Sequence, residues 1–304
     1  MNETIDQTEK RFQPDNKVKI RNNVHYRRMR SIKLGITYLV LIIVAIYAVF
    51  PIYYVVMMSL SVYTTLAVVS VSGLLPSIST LTSANYYDLL YHEPFAGWLG
   101  MTLLLTGIST ISGVAISISS GIALSRMHVP GKRIILYMLL IITMFPMTIM
   151  IIPLYFMFHQ LGLIHYYGLI IPYSSGAIIF SSWLIKNYVD AIPRDFEEAA
   201  QMDGYTESGA LFKVLIPMSR PVIALSVLLA FLGPYTDFAL ADIFISHANH
   251  YTLAIGLYYA SQGTITVNYS VYAAFSVLMG LPIFLLFLAF QKYIVSGFSL
   301  ATYK

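Results

Sequence analysis

The chain has 304 residues, of which 58% are hydrophobic and 11% charged, with a net charge of +4 and a mean hydropathy of +0.72. This composition excludes an ordinary soluble globular domain. The absence of cysteine excludes disulfides, thiolate metal sites and cysteine nucleophiles.

The first predicted elements are long apolar runs. A hydrocarbon core of about 30 Å requires about 20 apolar residues in a helix. Six runs reach that length or come close to it: 34–58, 98–122, 134–157, 168–186, 215–236 and 271–293. The first follows a basic stretch of about 33 residues and has full span length, so we expect no cleavable signal peptide. Six spans occupy about half of the chain and leave too little for a second catalytic domain.

The basic residues predict which segments face the cytoplasm. Nine of the 18 Lys and Arg precede the first span, and none lies in segments 59–97, 158–167 or 237–270. If six spans place both termini inside, these three segments all lie outside, in agreement with the positive-inside rule. The same distribution argues against nucleic-acid binding. We therefore expect a multi-pass protein of the cell (plasma or inner) membrane with cytoplasmic N- and C-termini.

Small residues and prolines mark several of the spans. In span two, Ser109, Gly113, Ser117 and Gly121 recur at every fourth position, which favours close helix packing over a smooth wall for a solute path. Spans three and five contain Pro146, Pro153, Pro221 and Pro234, which predict kinks.

Titratable residues are missing from the middle of every span, with Asp237 and Asp242 expected at the membrane interface. Carriers driven by ion gradients usually keep a titratable group in the middle of a span. We therefore expect the energy for transport to come from outside this chain. The polar and aromatic segments 85–93 and 258–270 suit sugar contacts, although an interfacial tyrosine belt explains them equally well.

An acidic stretch, DFEEAAQMDG at 195–204, lies on a predicted cytoplasmic loop. Asp195 and Glu198 have the spacing of a capping box, which predicts a short helix that ends at Gly204. A second short helix is expected at about 206–213. A solvated connector would explain the acids, but Ala199 and Ala200 beside two carboxylates favour docking to a partner.

The stretch resembles a known motif. Glu198-Ala199-Ala200, three residues, Gly204, nine residues and then Val214-Leu215-Ile216-Pro217 is similar to the EAA loop of ABC-importer permeases. The resemblance extends over roughly residues 81–304 and is closest to the MalG-type (maltose/maltodextrin) sugar permeases. It includes SRMHVPGK at 125–132, MFPMTIMIIPLYFMFHQLGL at 144–163, YTLAIGL at 251–257 and the tail QKYIVSGFSLATYK at 291–304. At the start of span two, this chain has Gly100-Met101-Thr102 where many members have Asn-Ser. Its C-terminal tail lacks the glycine-rich run with which theirs usually end.

The resemblance implies an all-α membrane protein with six transmembrane helices and a cytoplasmic coupling helix, the type I ABC importer permease fold. It implies a non-catalytic subunit, since ATP and Mg²⁺ would bind a partner ATPase dimer; the chain itself has no phosphate loop and no expected cofactor or metal. The other implied partners are a second (MalF-like) permease subunit, an extracytoplasmic sugar-binding protein and membrane lipid. The implied coupling residues are Glu197, Glu198, Ala199, Ala200, Asp203, Gly204 and Pro217; those facing the binding protein and its sugar are Gln262, Gly263 and Thr264.

The sequence thus predicts four regions: a basic tail at 1–33, a first helix and outer loop at 34–97, a five-helix core at 98–294 with the EAA loop at 194–217, and a cytoplasmic tail at 295–304. The predicted function is the membrane half-pathway for maltose, maltodextrin or a related oligosaccharide. Alternatives are an ABC permease for a non-sugar, polyol or glycerol-phosphate substrate, and a self-contained carrier. An intramembrane enzyme is disfavoured because no span carries a catalytic arrangement of Ser, His or paired carboxylates.

Overall fold

The computed structural model describes residues 16–62, 81–261 and 268–300. Apart from an isolated antiparallel bridge between Ser61 and Leu81, these residues contain no β structure. The helices are α1 (Asn16–Ser59), α2 (Ala84–His92), α3 (Phe95–Arg126), α4 (Lys132–Thr143), α5 (Met147–Gln160), α6 (Ile170–Asp190), α7 (Asp195–Met202), α8 (Glu207–Ala210), α9 (Ile216–Met218), α10 (Arg220–Thr236), α11 (Ala239–Phe244), α12 (Leu253–Ser261) and α13 (Tyr269–Leu300). Short 3₁₀ turns at Tyr166–Leu169 and Ala248–His250 and a π-helical turn at Leu211–Leu215 complete the secondary structure.

The chain divides into two compact units, residues 1–55 and residues 56–304. Most of α1 belongs to the first unit. This helix is 44 residues long, and only its stretch Ile32–Ser59 is apolar enough to cross a membrane. From Asn16 onward, the predicted basic tail and the first span therefore belong to one continuous helix, α1. The predicted division into four regions remains a prediction.

Four helical stretches in the described residues are long and apolar enough to cross a membrane: Ile32–Ser59, Phe95–Arg126, Tyr166–Asp190 and Tyr269–Ile294. Two bent pairs bring the number to six if each pair is one span. Lys132–Thr143 and Met147–Gln160 meet at 101°, and Glu207–Met218 and Arg220–Thr236 meet at 70°. The all-α membrane fold is thereby confirmed, and spans three and five, in which prolines predicted kinks, are each bent.

Proline accounts for the position of the first break. Pro146 precedes α5, where its ring disfavours helical geometry in Phe145 and it offers no backbone N–H to the preceding turn. Pro153 and Pro234, by contrast, lie inside α5 and α10 without ending them. In the second pair the helix is interrupted at Ser219, between Pro217 and Pro221.

The closest helix pair is α3 with α6. A Cβ added at Gly113 would lie 2.8 Å from the Cβ of Ala177, and one added at Gly121 would lie 2.8 Å from Cγ2 of Ile185. No larger side chain fits at either glycine unless the helices separate. The small residues of span two therefore serve helix packing, as predicted.

Serine pairs reinforce this contact along its length. The hydroxyls of Ser112 and Ser174 lie 2.8 Å apart, and those of Ser120 and Ser182 lie 2.7 Å apart. In both pairs the two residues are 62 positions apart in sequence. Interhelical hydroxyl bonds of this kind contribute about 0.6 kcal/mol each in a membrane. Together with the glycines they fix the register of α3 against α6.

Candidate functional site

The acidic loop, residues 194–217, begins with α7. The backbone carbonyl of Arg194 accepts hydrogen bonds from the N–H groups of Glu197 and Glu198, at 2.9 and 3.0 Å. Arg194 is therefore the N-cap residue, and Asp195 is the first residue of the helix. The predicted capping box is wrong, because Asp195 lies one position too far along the chain and makes no side-chain capping bond. The acids still occupy the first turn, where the helix dipole favours negative charge.

Gly204 ends α7 in a Schellman motif. Its φ angle is +94°, its N–H donates to the carbonyl of Gln201 at 3.0 Å, and the N–H of Tyr205 donates to that of Ala200 at 3.0 Å. These two bonds define the motif, and they require the left-handed backbone that glycine adopts at no steric cost. The turn predicted at Gly204 is confirmed.

The second half of the loop returns the chain to the membrane helices. Thr206 caps α8 through a hydrogen bond from the N–H of Gly209 to its Oγ1, at 3.1 Å. The π-helical turn and α9 follow, close to the predicted helix at 206–213. Leu215 is buried in an apolar cluster with Ile122 of α3 and Ile185 of α6, and Ala200 and Ala210 are buried as well. One side of the loop is thus fixed by apolar packing.

An ion pair fixes the loop to α3. Nε of Arg126 lies 2.6 Å from Oε1 of Glu197, and both side chains are largely buried, at 9% and 13% exposure. Nη2 of the same arginine donates to the backbone carbonyl of Ile192 at 2.8 Å. A single guanidinium therefore holds the carboxylate of α7 and the chain that leads into it. The sequence analysis missed this pair, because its partners are 71 positions apart.

The rest of the loop surface carries both charged and large apolar side chains. Phe196, Met202 and Phe212 are exposed by 48%, 89% and 70%. Large apolar side chains exposed within one short loop are candidates for contact with a partner. The exposed face of the acidic loop consists of Phe196, Glu198, Ala199, Met202, Asp203, Gly204, Tyr205 and Phe212.

The predicted coupling residues therefore lie on two sides of the loop. Glu198, Ala199, Asp203 and Gly204 are on the exposed face. Glu197 and Ala200 point inward, towards Arg126 and the apolar core, and Pro217 is half-buried in α9.

The predicted outer-loop residues Gln262, Gly263 and Thr264 lie outside the described residues. The helix before them, α12, presents two exposed tyrosines, and the hydroxyl of Tyr259 donates to Oδ1 of Asp242 at 3.3 Å. The negative charge of Asp242 raises the pKa of Tyr259 above its ordinary value. Asn85, in the other outer segment, is buried and donates to the carbonyls of Ser59 and Ser61. Its role is therefore structural.

Asp237 follows the last residue of α10, and its carboxylate is bonded within the protein. Oδ2 accepts hydrogen bonds from the Tyr173 hydroxyl at 2.8 Å and from the backbone N–H of Ala241 at 3.1 Å. The residue ends α10 and lines a groove between α6 and α10. Among the described side chains, no group of three or more His, Asp or Glu is placed to hold a metal ion.

Comparison with known proteins agrees with this arrangement. The profile of a family described as "Binding-protein-dependent transport system inner membrane component" matches residues 113–299. Over 213 residues the chain is 36% identical to the maltose/maltodextrin transport system permease protein MalG of Vibrio vulnificus, covering 67% of this chain and 71% of that protein. It is 28% identical to the galactooligosaccharides transport system permease protein GanQ of Bacillus subtilis, covering 88% and 94%.

Solved structures resemble the fold. A chain from a bacterial ABC transporter involved in the import of alginate, an acidic polysaccharide, superimposes with a TM-score of 0.69 at 23% identity, covering 88% of this chain and 98% of that one. A chain of the MetNI methionine ABC transporter, in an inward-facing conformation, gives a TM-score of 0.52 at 21% identity, covering 71% and 99%. At these identities the likeness supports the fold alone.

Proposed function

The chain belongs to the family of binding-protein-dependent transport system inner membrane components, and we propose that it carries a sugar of the maltodextrin class across the membrane. As a member of that family it is a non-catalytic permease subunit of an ABC importer. The sugar is suggested by the relatives, which are named for maltose, maltodextrin and galactooligosaccharides. The structural observation that supports the coupling role is the acidic loop, fixed on one side and exposed on the other.

The loop has the properties of a docking element. The Schellman turn and the Arg126–Glu197 pair fix its backbone, so docking requires little further ordering. Its exposed face combines Phe196, Met202 and Phe212 with the free carboxylates of Glu198 and Asp203. Aromatic and methionine side chains contribute contact area, while acids at the edge select a basic partner surface. A cytoplasmic ATPase dimer that binds ATP and Mg²⁺ is the proposed partner.

The remaining partners follow from the same proposal. A second, MalF-like permease subunit completes the pathway, and an extracytoplasmic binding protein delivers the sugar to the end of the bundle that carries α12. Gln262, Gly263 and Thr264 are proposed to reach toward that binding protein.

Orientation can be tested by labelling single cysteines, because the chain has none of its own. Cysteines at positions 17, 128 and 203 are expected to react only with reagent applied from the cytoplasm. Those at positions 87, 165 and 262 are expected to react only from outside. The reason is the one-sided distribution of Lys and Arg. One position labelled from the opposite side would refute the proposed orientation.

The coupling role is tested by Glu198→Gln in the assembled complex. Glutamine keeps the size and helix preference of the side chain but removes its charge. If Glu198 contacts a basic group of the ATPase, binding is expected to weaken by roughly tenfold or more. The measurement is the amount of ATPase that co-purifies in mild detergent, together with sugar uptake by reconstituted vesicles.

Glu207→Gln is the matched control. Glu207 is also exposed and also lies in the first turn of a helix of this loop, but it occupies a spacer position at which the EAA motif specifies no residue. We expect it to retain ATPase binding and uptake. If Glu198→Gln and Glu207→Gln both behave as the unmodified protein, the loop is a capped connector and the docking role of Glu198 is wrong.

A further inference from the structure

A groove of about 500 Å³ lies between α6 and α10. Tyr173, Gly176 and Ala177 line it from α6, at the i, i+3, i+4 spacing of one helix face. Ala230, Gly233 and Asp237 line it from α10. Gly176 and Gly233 are exposed, and a Cβ added to either would meet no atom within 4 Å. Small residues on both walls therefore leave the groove open.

The polar side chains that line this groove are Tyr173, Ser181 and Asp237. Oδ2 of Asp237 accepts hydrogen bonds from the Tyr173 hydroxyl and the Ala241 N–H. Within the described part of the chain, no donor bonds Oδ1 and no Lys, Arg or His pairs with this carboxylate. Oδ1 can therefore accept a hydrogen bond from a solute that carries hydroxyls.

The charge of Asp237 has a further consequence. Asp237 follows the last residue of α10 and lines the groove, so its charge acts on whatever occupies the groove. Its negative potential, with no cation beside it in the described residues, repels anions and accepts hydroxyl donors. A phosphate or uronate, which presents acceptors and negative charge, is mismatched to this wall.

We propose that this groove is the part of the solute path contributed by this chain, and that Asp237 selects neutral, polyhydroxylated solutes over anionic ones. The inference rests on the proposed function and extends it by naming path residues and a charge class. Tyr173 is a positioning residue, since its hydroxyl donates to Oδ2 and leaves Oδ1 without a bond in the described residues. The competing occupant is a helix of the second permease subunit, packed between the small residues.

The first experiment measures thiol reactivity in the assembled complex, again using the absence of native cysteine. Gly176→Cys and Gly233→Cys are treated with a cationic and an anionic methanethiosulfonate of similar size, at rest and during ATP hydrolysis. Gly280→Cys is the control, because Gly280 is exposed on α13 and does not line the groove. We expect the two groove positions to react, because a solute path contains water. We expect the control to remain unlabelled, because a position within the candidate span Tyr269–Ile294 but off this path is shielded from water-borne reagent by lipid or a partner helix.

The ratio of cationic to anionic labelling rates tests the charge. Gly233 is one helical turn from Asp237, so adding Asp237→Asn is expected to lower this ratio by roughly three- to tenfold. An unchanged ratio would overturn the role of Asp237. Groove cysteines that stay unreactive in every state would show that a neighbouring helix fills the groove.

The second experiment measures uptake of maltotriose, as a neutral probe, by vesicles that contain the complete transporter. Asp237→Asn is expected to lower uptake by roughly tenfold or more, while ATP hydrolysis stimulated by the binding protein continues. Asp242→Asn, which alters the neighbouring acid outside the groove, is expected to have little effect. Full uptake by the Asp237→Asn protein overturns this inference alone, whereas an unmodified complex without stimulated hydrolysis or uptake overturns the proposed function itself.

Discussion

Replacing Gly204 with valine is expected to leave the complex able to hydrolyse ATP but to lower sugar uptake strongly. Gly204 has a φ angle of +94°, and a Cβ there would meet no atom within 4 Å, so the cost is backbone strain rather than a clash. Holding a non-glycine residue in such a conformation costs about 1–3 kcal/mol. If the strain is relieved by reorienting α7 against α8, the docking geometry is populated about 5- to 150-fold less.

The measurement is the number of sugar molecules taken up per ATP hydrolysed in reconstituted vesicles. Gly204→Asn is expected to fall between the wild type and valine, since asparagine tolerates the left-handed region. Gly162→Val is the matched control, because Gly162 has a φ of +68° and open space around it but lies far from the acidic loop in sequence. Equal losses for Gly162→Val and Gly204→Val would show that strain anywhere impairs the protein and that this turn has no special role.

The acidic loop could be predicted because its determinants are local in sequence. A glycine eight residues after Phe196 and a proline thirteen residues later fix a short helix, a turn and a return to the membrane. The start of α7 was misplaced by one residue because the Arg194 carbonyl takes the capping position. Such errors are common at helix ends, where propensities of neighbouring residues differ little.

The bends were predictable in place but not in size. Pro146 indicated a kink in span three, and the structure has two helices at 101° there. Proline removes a hydrogen bond and restricts its predecessor, but the resulting angle is set by what the two helices pack against. Those neighbours come from distant parts of the chain and have no local signature.

Asp237 could not be assigned to a groove from the sequence, for the same reason. Its position near the end of an apolar run indicated a membrane interface, and only its contact with Tyr173, 64 positions earlier, places it on the wall of a groove. The open groove between α6 and α10 depends on small residues in both helices, which appear in sequence only as ordinary glycines and alanines.

The Arg126–Glu197 pair leads to the prediction with the largest expected loss of stability. Arg126→Ala leaves the Glu197 carboxylate largely buried without a counter-charge and removes the donor to the Ile192 carbonyl. Breaking a buried pair in this way costs about 3–5 kcal/mol. We expect a lower apparent melting temperature of the purified complex and, because α7 is no longer fixed to α3, less uptake per ATP hydrolysed.

Charge reversal distinguishes loss of the Arg126–Glu197 interaction from the other effects of a mutation at either site. Arg126→Glu and Glu197→Arg are each expected to be as damaging as Arg126→Ala, whereas the double variant should recover part of the loss, with a coupling energy of about 0.5–3 kcal/mol. Lys186→Met is the control, because Lys186 and Asp190 form a 2.7 Å pair within one helix. That pair contributes less than about 1 kcal/mol, and the hydrogen bond from the Ser125 hydroxyl of α3 to Asp190 does not require Lys186. Uptake per ATP should therefore stay unchanged. Losses that simply add in the double variant would mean that the two side chains act independently, and the acidic loop would then depend on its apolar packing alone.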